Sequence, residues 1–396
     1  MPHAFYILFL FAVGACIGSF LNVVVYRLPR GISLATPPSR CPKCETRLAW
    51  YDNIPVFGWI LLRGKCRYCG QPISPGYPIV EAMTGLLFVF YYVMFFMLHV
   101  GPAGVTGLAE QWPIYGLYMV MVAGLLAASL IDAELFIIPA GIPWWLAGAG
   151  IVVHGVIDQP GSVGSLMDPP SALALGAGAG LGLIISIVLL QTGILPLSFP
   201  VGNLLDAERA ELEEKAKKDG TEVQPEFTRE QVRAEIRKEM LFLMPPLVLG
   251  AVSMALDRHV PVVGEIWQEA SKIDWLNGSL GALLGGIVGG FVVWLTRILG
   301  SYALGKEAMG LGDVHLMFGV GAVLGAGPAT VAFFIAPFIG ILAGIYLLVT
   351  RSQRQLPYGP YLSLATGFVM LFYSPIAGYF RPGLTQLIWL IRQGLP

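Results

Sequence analysis

Apolar runs near the length of a bilayer crossing recur along most of the chain. They cover residues 4–26, 79–100, 113–131, 138–158, 171–195, 241–257, 276–299, 313–327, 328–350 and 359–380. A crossing helix needs about 20 mostly apolar residues, because the backbone must satisfy its own hydrogen bonds in lipid. The pattern therefore predicts an all-α polytopic membrane protein of about ten transmembrane helices. Pro245 and Pro246 weaken the short 241–257 run. The 313–327 run is also short, which suits a partly re-entrant segment. The first run carries no charge and follows no Lys or Arg, so it reads as a retained helix rather than a cleaved secretory signal.

Composition agrees with this pattern. The chain is 56% hydrophobic and 12% charged, against about a quarter charged in ordinary soluble domains. The expected surroundings are a lipid bilayer, and no nucleic-acid partner is expected. Net charge is near zero, but the charges are segregated. Residues 27–78 hold Arg27, Arg30, Arg40, Lys43, Arg47, Arg63, Lys65 and Arg67 against only Glu45 and Asp52. Loops 101–112 and 159–170 hold no Lys or Arg. The positive-inside rule puts 27–78 in the cytoplasm and the N-terminus outside. Alternating the spans then puts Asp132, the 196–240 segment, the 301–312 loop and the Arg351–Arg354 loop on the cytoplasmic side. Arg258 and Lys272 fall outside and count against this orientation.

Residues 206–240 form a charged island. Glu211–Lys215, Glu213–Lys217 and Glu214–Lys218 are i,i+4 pairs in the favourable order, which predicts a helix. Gly220 and Pro225 interrupt it. Thr228 and Gln231 make a capping box that opens a second helix toward the 241 run. A solvated helical hairpin is the ordinary reading, and a docking surface the sharper one. The runs 171–195 and 276–299 are both rich in Gly and Ala, which lets helix backbones approach closely. Internal duplication and shared packing chemistry explain that likeness equally.

Of five cysteines, Cys16 lies in the first span and the others form two pairs, Cys41-x-x-Cys44 and Cys66-x-x-Cys69. Two such turns can supply four thiolates in the tetrahedron that structural zinc prefers. A small loop lacks a core of its own, and metal binding can supply the missing folding energy. Four cysteines leave no open position for a catalytic water. The alternative is a redox pair or incidental thiols. The aromatic residues Trp50, Tyr51 and Trp59 suit either the headgroup level or packing on the cysteine turns.

An ionisable residue at membrane depth is costly and points to function. Asp132 ends the third run, and Asp313 sits in Gly310-Leu311-Gly312-Asp313 at the mouth of a later one. Both fall on the same side under the orientation above. Two carboxylates that meet in a partly dry site share a proton, one acting as base toward water and the other as acid toward a carbonyl oxygen. Gly310 and Gly312 permit close backbone approach and unusual dihedrals. Taken singly, either Asp reads first as a helix-end interfacial residue, and Glu134 competes as a partner for Asp132. The five histidines show no ligand spacing.

The chain resembles the bacterial prepilin leader peptidase/N-methyltransferases, which are polytopic aspartic peptidases of the GxGD type. The resemblance runs from Gly18-Ser19-Phe20-Leu21-Asn22 through Trp50-Tyr51-Asp52-Asn53-Ile54-Pro55 and both cysteine pairs to Glu81. It resumes at Ile131-Asp132 with Ile138-Pro139, at Gly305-Lys306-Glu307-Ala308-Met309-Gly310-Leu311-Gly312-Asp313, and at Pro357-Tyr358-Gly359-Pro360. It implies that Asp132 and Asp313 are the catalytic dyad. The implied substrate is a prepilin or type II secretion pseudopilin with a basic leader, cleaved after a glycine at the cytoplasmic face of the bacterial inner membrane. The new amine would then be methylated with S-adenosylmethionine, and pilus or type II secretion assembly machinery becomes a partner. No residue is assigned to the methyl donor. Glu81 reads either as a contact for the substrate amine or leader, or as an interfacial pair with a loop arginine.

Three departures from the family pattern stand out. Ala140 replaces an acid, and His315 replaces a lysine; a histidine can titrate near neutrality. The third is extra length. The expected organisation is a first helix at 1–26, a zinc-binding loop at 27–78, and helices at 79–164 carrying the first Asp. An insertion at 165–275 follows, with two candidate helices and segment 196–240, then helices at 276–396 carrying the GxGD motif. The family core supplies about eight helices and the insertion a further pair. Two other functions compete with the bifunctional enzyme. One is a peptidase without methylation. The other is a transporter or scaffold in which the aspartates relay protons or hold helices.

Overall fold

A computed structural model describes residues 3–102, 107–157, 169–199, 228–351 and 357–392. The helices expected from the charge pairs at 211–218, and Arg354, lie outside these residues. Twelve helices are described, and no strand among the described residues. They are α1 (His3–Arg27), α2 (Phe57–Leu61), α3 (Gly76–Tyr92), α4 (Leu108–Leu135), α5 (Gly141–Val156), α6 (Pro169–Gln191), α7 (Arg229–His259), α8 (Pro261–Ser271), α9 (Asp274–Leu304), α10 (Leu311–Leu324), α11 (Ala326–Arg351) and α12 (Gly359–Arg392).

Each of the ten apolar runs falls on a helix. Eight are long and apolar enough to cross a membrane. The two short ones are α5 and α10. The 138–158 run was expected to span, but its helix begins only at Gly141 and has 16 residues, because Ile138 and Pro139 lie outside it. The 14 residues of α10 reach roughly 21 Å at 1.5 Å per residue, short of a hydrocarbon core of about 30 Å.

Pro245 and Pro246 do not break α7, which runs unbroken for 31 residues. Proline removes the amide that would serve the carbonyl four residues earlier. For Pro246 that carbonyl belongs to Phe242, and it accepts the Ser186 hydroxyl of α6 at 2.7 Å instead. A neighbouring helix thus satisfies the freed backbone group, as an apolar surrounding requires. The Thr228–Gln231 capping box opens α7 as expected. The sequence reading left 258–275 as a loop, but α8 occupies most of it.

The chain divides into two compact units. One comprises Met1–Tyr115, Val122–Leu130 and Gly367–Pro396, the other Gly116–Met121 and Ile131–Thr366. In the first, α1 packs on α3. A Cβ on Gly18 would lie 2.7 Å from the Glu81 Cα, and one on Gly14 2.8 Å from the Gly85 Cα. In the second, α9 packs against α5, α6, α10 and α11. There Gly285 meets Gly321 backbone to backbone, and Gly289 meets the Met317 carbonyl. Small residues replace the water-driven core of a soluble protein as the means of close helix contact.

Candidate functional site

The two Cys-x-x-Cys turns fold alike. The Cys41 amide donates to the Thr46 carbonyl at 3.0 Å and the Glu45 amide to the Cys41 carbonyl at 2.9 Å. The Cys66 amide donates to the Gln71 carbonyl at 2.8 Å and the Gly70 amide to the Cys66 carbonyl at 3.0 Å. The residue closing each turn is left-handed, Glu45 at φ 55° and Gly70 at φ 68°. Single antiparallel bridges, Arg40 with Arg47 and Lys65 with Pro72, brace them.

The four sulfurs lie within 4.8 Å of one another, and Cys41 and Cys69 are 3.9 Å apart. Four thiolates at about 2.3 Å from one zinc would stand about 3.8 Å apart, so the donor set fits a structural zinc. The Thr46 hydroxyl and amide bring the Cys44 thiol down to about 6. The Gln71 amide pulls Cys69 the same way, but burial and the neighbouring thiols outweigh it and push that thiol up to about 11. Thiolate character thus starts at Cys44.

The rest of the loop is tied to these turns. Asp52 is buried and takes both Arg67 Nη2 at 2.6 Å and Arg67 Nε at 2.9 Å. The Trp59 indole donates to the Ile73 carbonyl at 3.0 Å, whereas Trp50 is 81% exposed. One aromatic therefore packs on the module and another faces outward. Glu81 is buried in α3, and its Oε2 accepts the Val56 amide at 2.7 Å. Val56 holds a φ of 62°, an unusual conformation for a β-branched residue.

The second unit holds both aspartates. Asp132 lies in the last turn of α4, which closes with Phe136 at φ 55°. Asp313 lies in the first turn of α10. Both are buried. The Gly359 amide, at the start of α12, donates to Asp132 Oδ2 at 2.8 Å. A Cβ on Gly359 would stand 2.7 Å from that oxygen, so no larger residue permits this approach. Ile138 joins the two motifs. Its Cδ1 would be 3.3 Å from a Cβ on Gly359, and its Cβ 2.9 Å from one on Gly312. Ile138 thus packs both on Gly359, whose amide holds Asp132, and on Gly312, next to Asp313.

Gly312 is needed for its close approach to Ile138. Gly310 is different: at φ −67° and ψ 146° it is ordinary extended backbone. The expected unusual dihedral belongs to Gly305, at φ 69°. His315 packs on Trp144, their ring centroids 5.9 Å apart. Beside Gly359, the buried Tyr358 hydroxyl has no hydrogen-bond partner among the described residues.

Sequence reasoning missed Arg297, Glu239 and Gly359. Arg297 is 1% exposed and binds Glu239 at 2.9 Å and Glu307 at 2.7 Å. It also donates to the Met309 carbonyl. The signal for it was present: an arginine inside the apolar stretch Trp294-Leu295-Thr296-Arg297-Ile298.

Two family models match the chain. The bacterial Peptidase A24 N-terminal domain matches residues 12–95, which include the cysteine module and Glu81. The type IV leader peptidase family matches residues 245–345, which include Arg297, Glu307 and Asp313 but not Asp132 or Gly359. Among curated relatives, a prepilin leader peptidase/N-methyltransferase of Myxococcus xanthus is 59% identical over 80 residues, covering 20% of this chain and 24% of the relative. One from Klebsiella pneumoniae is 41% identical over 153 residues, covering 37% and 60%. One from Xanthomonas campestris pv. campestris is 32% identical over 191 residues, covering 42% and 59%. The chain thus spans between about a quarter and 60% of the length of these relatives. No solved structure matches. Eight helices long and apolar enough to cross a membrane make this a multi-pass membrane protein, and two separate regions of it are similar to the bacterial Peptidase A24 N-terminal domain and the type IV leader peptidase family.

Proposed function

We propose that the chain removes the basic leader from type IV prepilins or type II secretion pseudopilins, using Asp132 and Asp313 as a proton-sharing dyad. The observation that carries this reading is the pair of buried carboxylates, one fixed by the Gly359 amide, the other next to Gly312, with Ile138 packed on both glycines. Two carboxylates that meet in a dry site share one proton. The ionised carboxyl takes a proton from water as the water oxygen attacks the scissile carbonyl carbon. The protonated carboxyl gives its proton to the carbonyl oxygen. Collapse of the resulting diol breaks the C–N bond, and the amine leaves with a proton returned by the dyad. Gly312 and Ile138 keep the two helix ends together, and Gly310 leads into the Asp313 turn.

The cysteine module holds a structural zinc through Cys41, Cys44, Cys66 and Cys69. Zinc here supplies folding energy and no reactive position. Glu81 is engaged by the Val56 amide, and we read it as a latch for the loop rather than a substrate contact. The relatives' name carries N-methyltransferase activity, so methylation of the new amine with S-adenosylmethionine belongs to this proposal. No residue is assigned to the donor, and no step is derived for it. The orientation follows the basic 27–78 loop, with α5 counted as a crossing: N-terminus outside, cysteine module and dyad on the cytoplasmic side of the inner membrane.

The test is purified full chain in detergent with a prepilin and S-adenosylmethionine, read by mass spectrometry. The expected product starts immediately after the leader glycine and carries one added methyl group. Cleavage without methylation would leave a peptidase alone. No cleavage of any prepilin or pseudopilin would overturn the proposal and favour the scaffold reading.

A further inference from the structure

Arg297 stands out among the fully buried side chains. A guanidinium in an apolar helix is tolerated only when its charge and donors are fully met. Its Nε faces Glu239 Oε1 at 2.9 Å, while its Nη1 reaches Glu307 Oε1 at 2.7 Å and the Met309 carbonyl. Glu239 is itself held from two other directions: Trp294 Nε1 donates to its Oε2 at 3.0 Å and the Ser198 hydroxyl to its Oε1 at 3.0 Å. One turn further along α9, the Ser301 hydroxyl accepts the Ala308 amide at 3.0 Å. Residues 307, 308 and 309 are therefore all tied to α9 immediately before Gly310 and Asp313. Glu239 comes from α7, six residues before the matched stretch 245–345 begins.

We infer that Glu239 and Arg297 are positioning residues for the Asp313 carboxylate, so that helix α7 completes the site. The inference rests on the dyad reading above. Glu239 orients one side of the guanidinium fork, and the other side grips the 307–309 turn. A lysine is a single point charge on a flexible stem and cannot bridge both acids and the carbonyl at once. A pair that merely stapled α7 to α9 would affect folding and leave turnover alone. A pair that sets the turn must affect turnover in protein that is still folded.

The experiment uses the full chain in detergent with a prepilin peptide, measuring kcat, KM and thermal unfolding. The variants are Arg297→Lys and the double change Arg297→Met with Glu239→Leu. The double change removes both fully buried charges and leaves Glu307, whose side chain is 21% exposed, in contact with water; replacing a buried ion pair by apolar residues of similar volume commonly preserves stability. Both variants are expected to lose kcat roughly tenfold to a hundredfold, the scale of a misplaced reacting group. KM should stay within about twofold, because uniform binding is untouched. A folded double variant with wild-type kcat would overturn the inference. If the double variant does not fold, Arg297→Lys, which keeps the buried charge, decides by the same split: unchanged kcat overturns it. Asp313→Asn in the same assay separates the two ideas. If it still cleaves, the dyad reading fails. If it is inactive while the double variant turns over normally, only the positioning role fails.

Discussion

The cysteine module and the aspartate site are assembled over very different lengths of chain. The sulfurs of Cys41 and Cys69 meet across 28 positions, whereas Asp132 is fixed by an amide 227 positions away. Short closure costs little chain entropy but gathers little apolar surface. The module accordingly has two small braced turns, one half-exposed ion pair and four converging thiols, and on the proposed reading zinc supplies the folding energy it lacks. Long closure is carried by helices whose packing fixes the ends of α4, α10 and α12. The aspartate site depends on every close approach along the way. The first kind of site fails by losing its ion, the second by gaining a methyl group in the wrong place.

The largest expected effect separates the two directly. Chelating the zinc, or changing Cys41→Ser with Cys66→Ser, should unfold residues 27–78, since structural zinc contributes on the order of 10 kcal/mol to such modules. Limited proteolysis should cut within that loop while α5, α6, α9 and α10 stay protected. Equal loss of protection in both regions would break the comparison.

A smaller effect is expected at Gly359. An added Cβ meets the Asp132 carboxylate 2.7 Å away, so Gly359→Ala should slow leader cleavage about a hundredfold with the helices intact by circular dichroism. Wild-type rates would mean the amide contact is unimportant. The smallest effect concerns the two cysteine turns themselves. Glu45 occupies the left-handed position that Gly70 fills in the other turn, so Glu45→Gly should stabilise the zinc-loaded module by about 1 kcal/mol. A chelator competition showing weaker zinc retention would contradict the likeness of the turns.

Much of this was legible in the sequence. All ten apolar runs became helices, because in lipid the backbone leaves no alternative to internal hydrogen bonds. The four cysteines and both aspartates stood in short motifs. What the sequence hid were partners distant along the chain. Arg297 pairs with Glu239 across 58 positions, and spacing cannot suggest such a contact. Pro245 and Pro246 misled for the same reason, since the hydroxyl that rescues α7 sits on α6. Helix α8 was a different kind of miss. Pro261 at its first position is an ordinary start signal, passed over because the segment is too short and too polar to span.

The central claim is that two carboxylates act as one catalytic unit, and single-residue removal tests it most directly. Asp132→Asn, Asp313→Asn and the double variant, each purified in detergent, would be assayed for leader release from one prepilin. The account predicts that either single change abolishes release and that the double change adds nothing further, as for groups acting as a unit. Leader release at the wild-type rate by either single variant would contradict it.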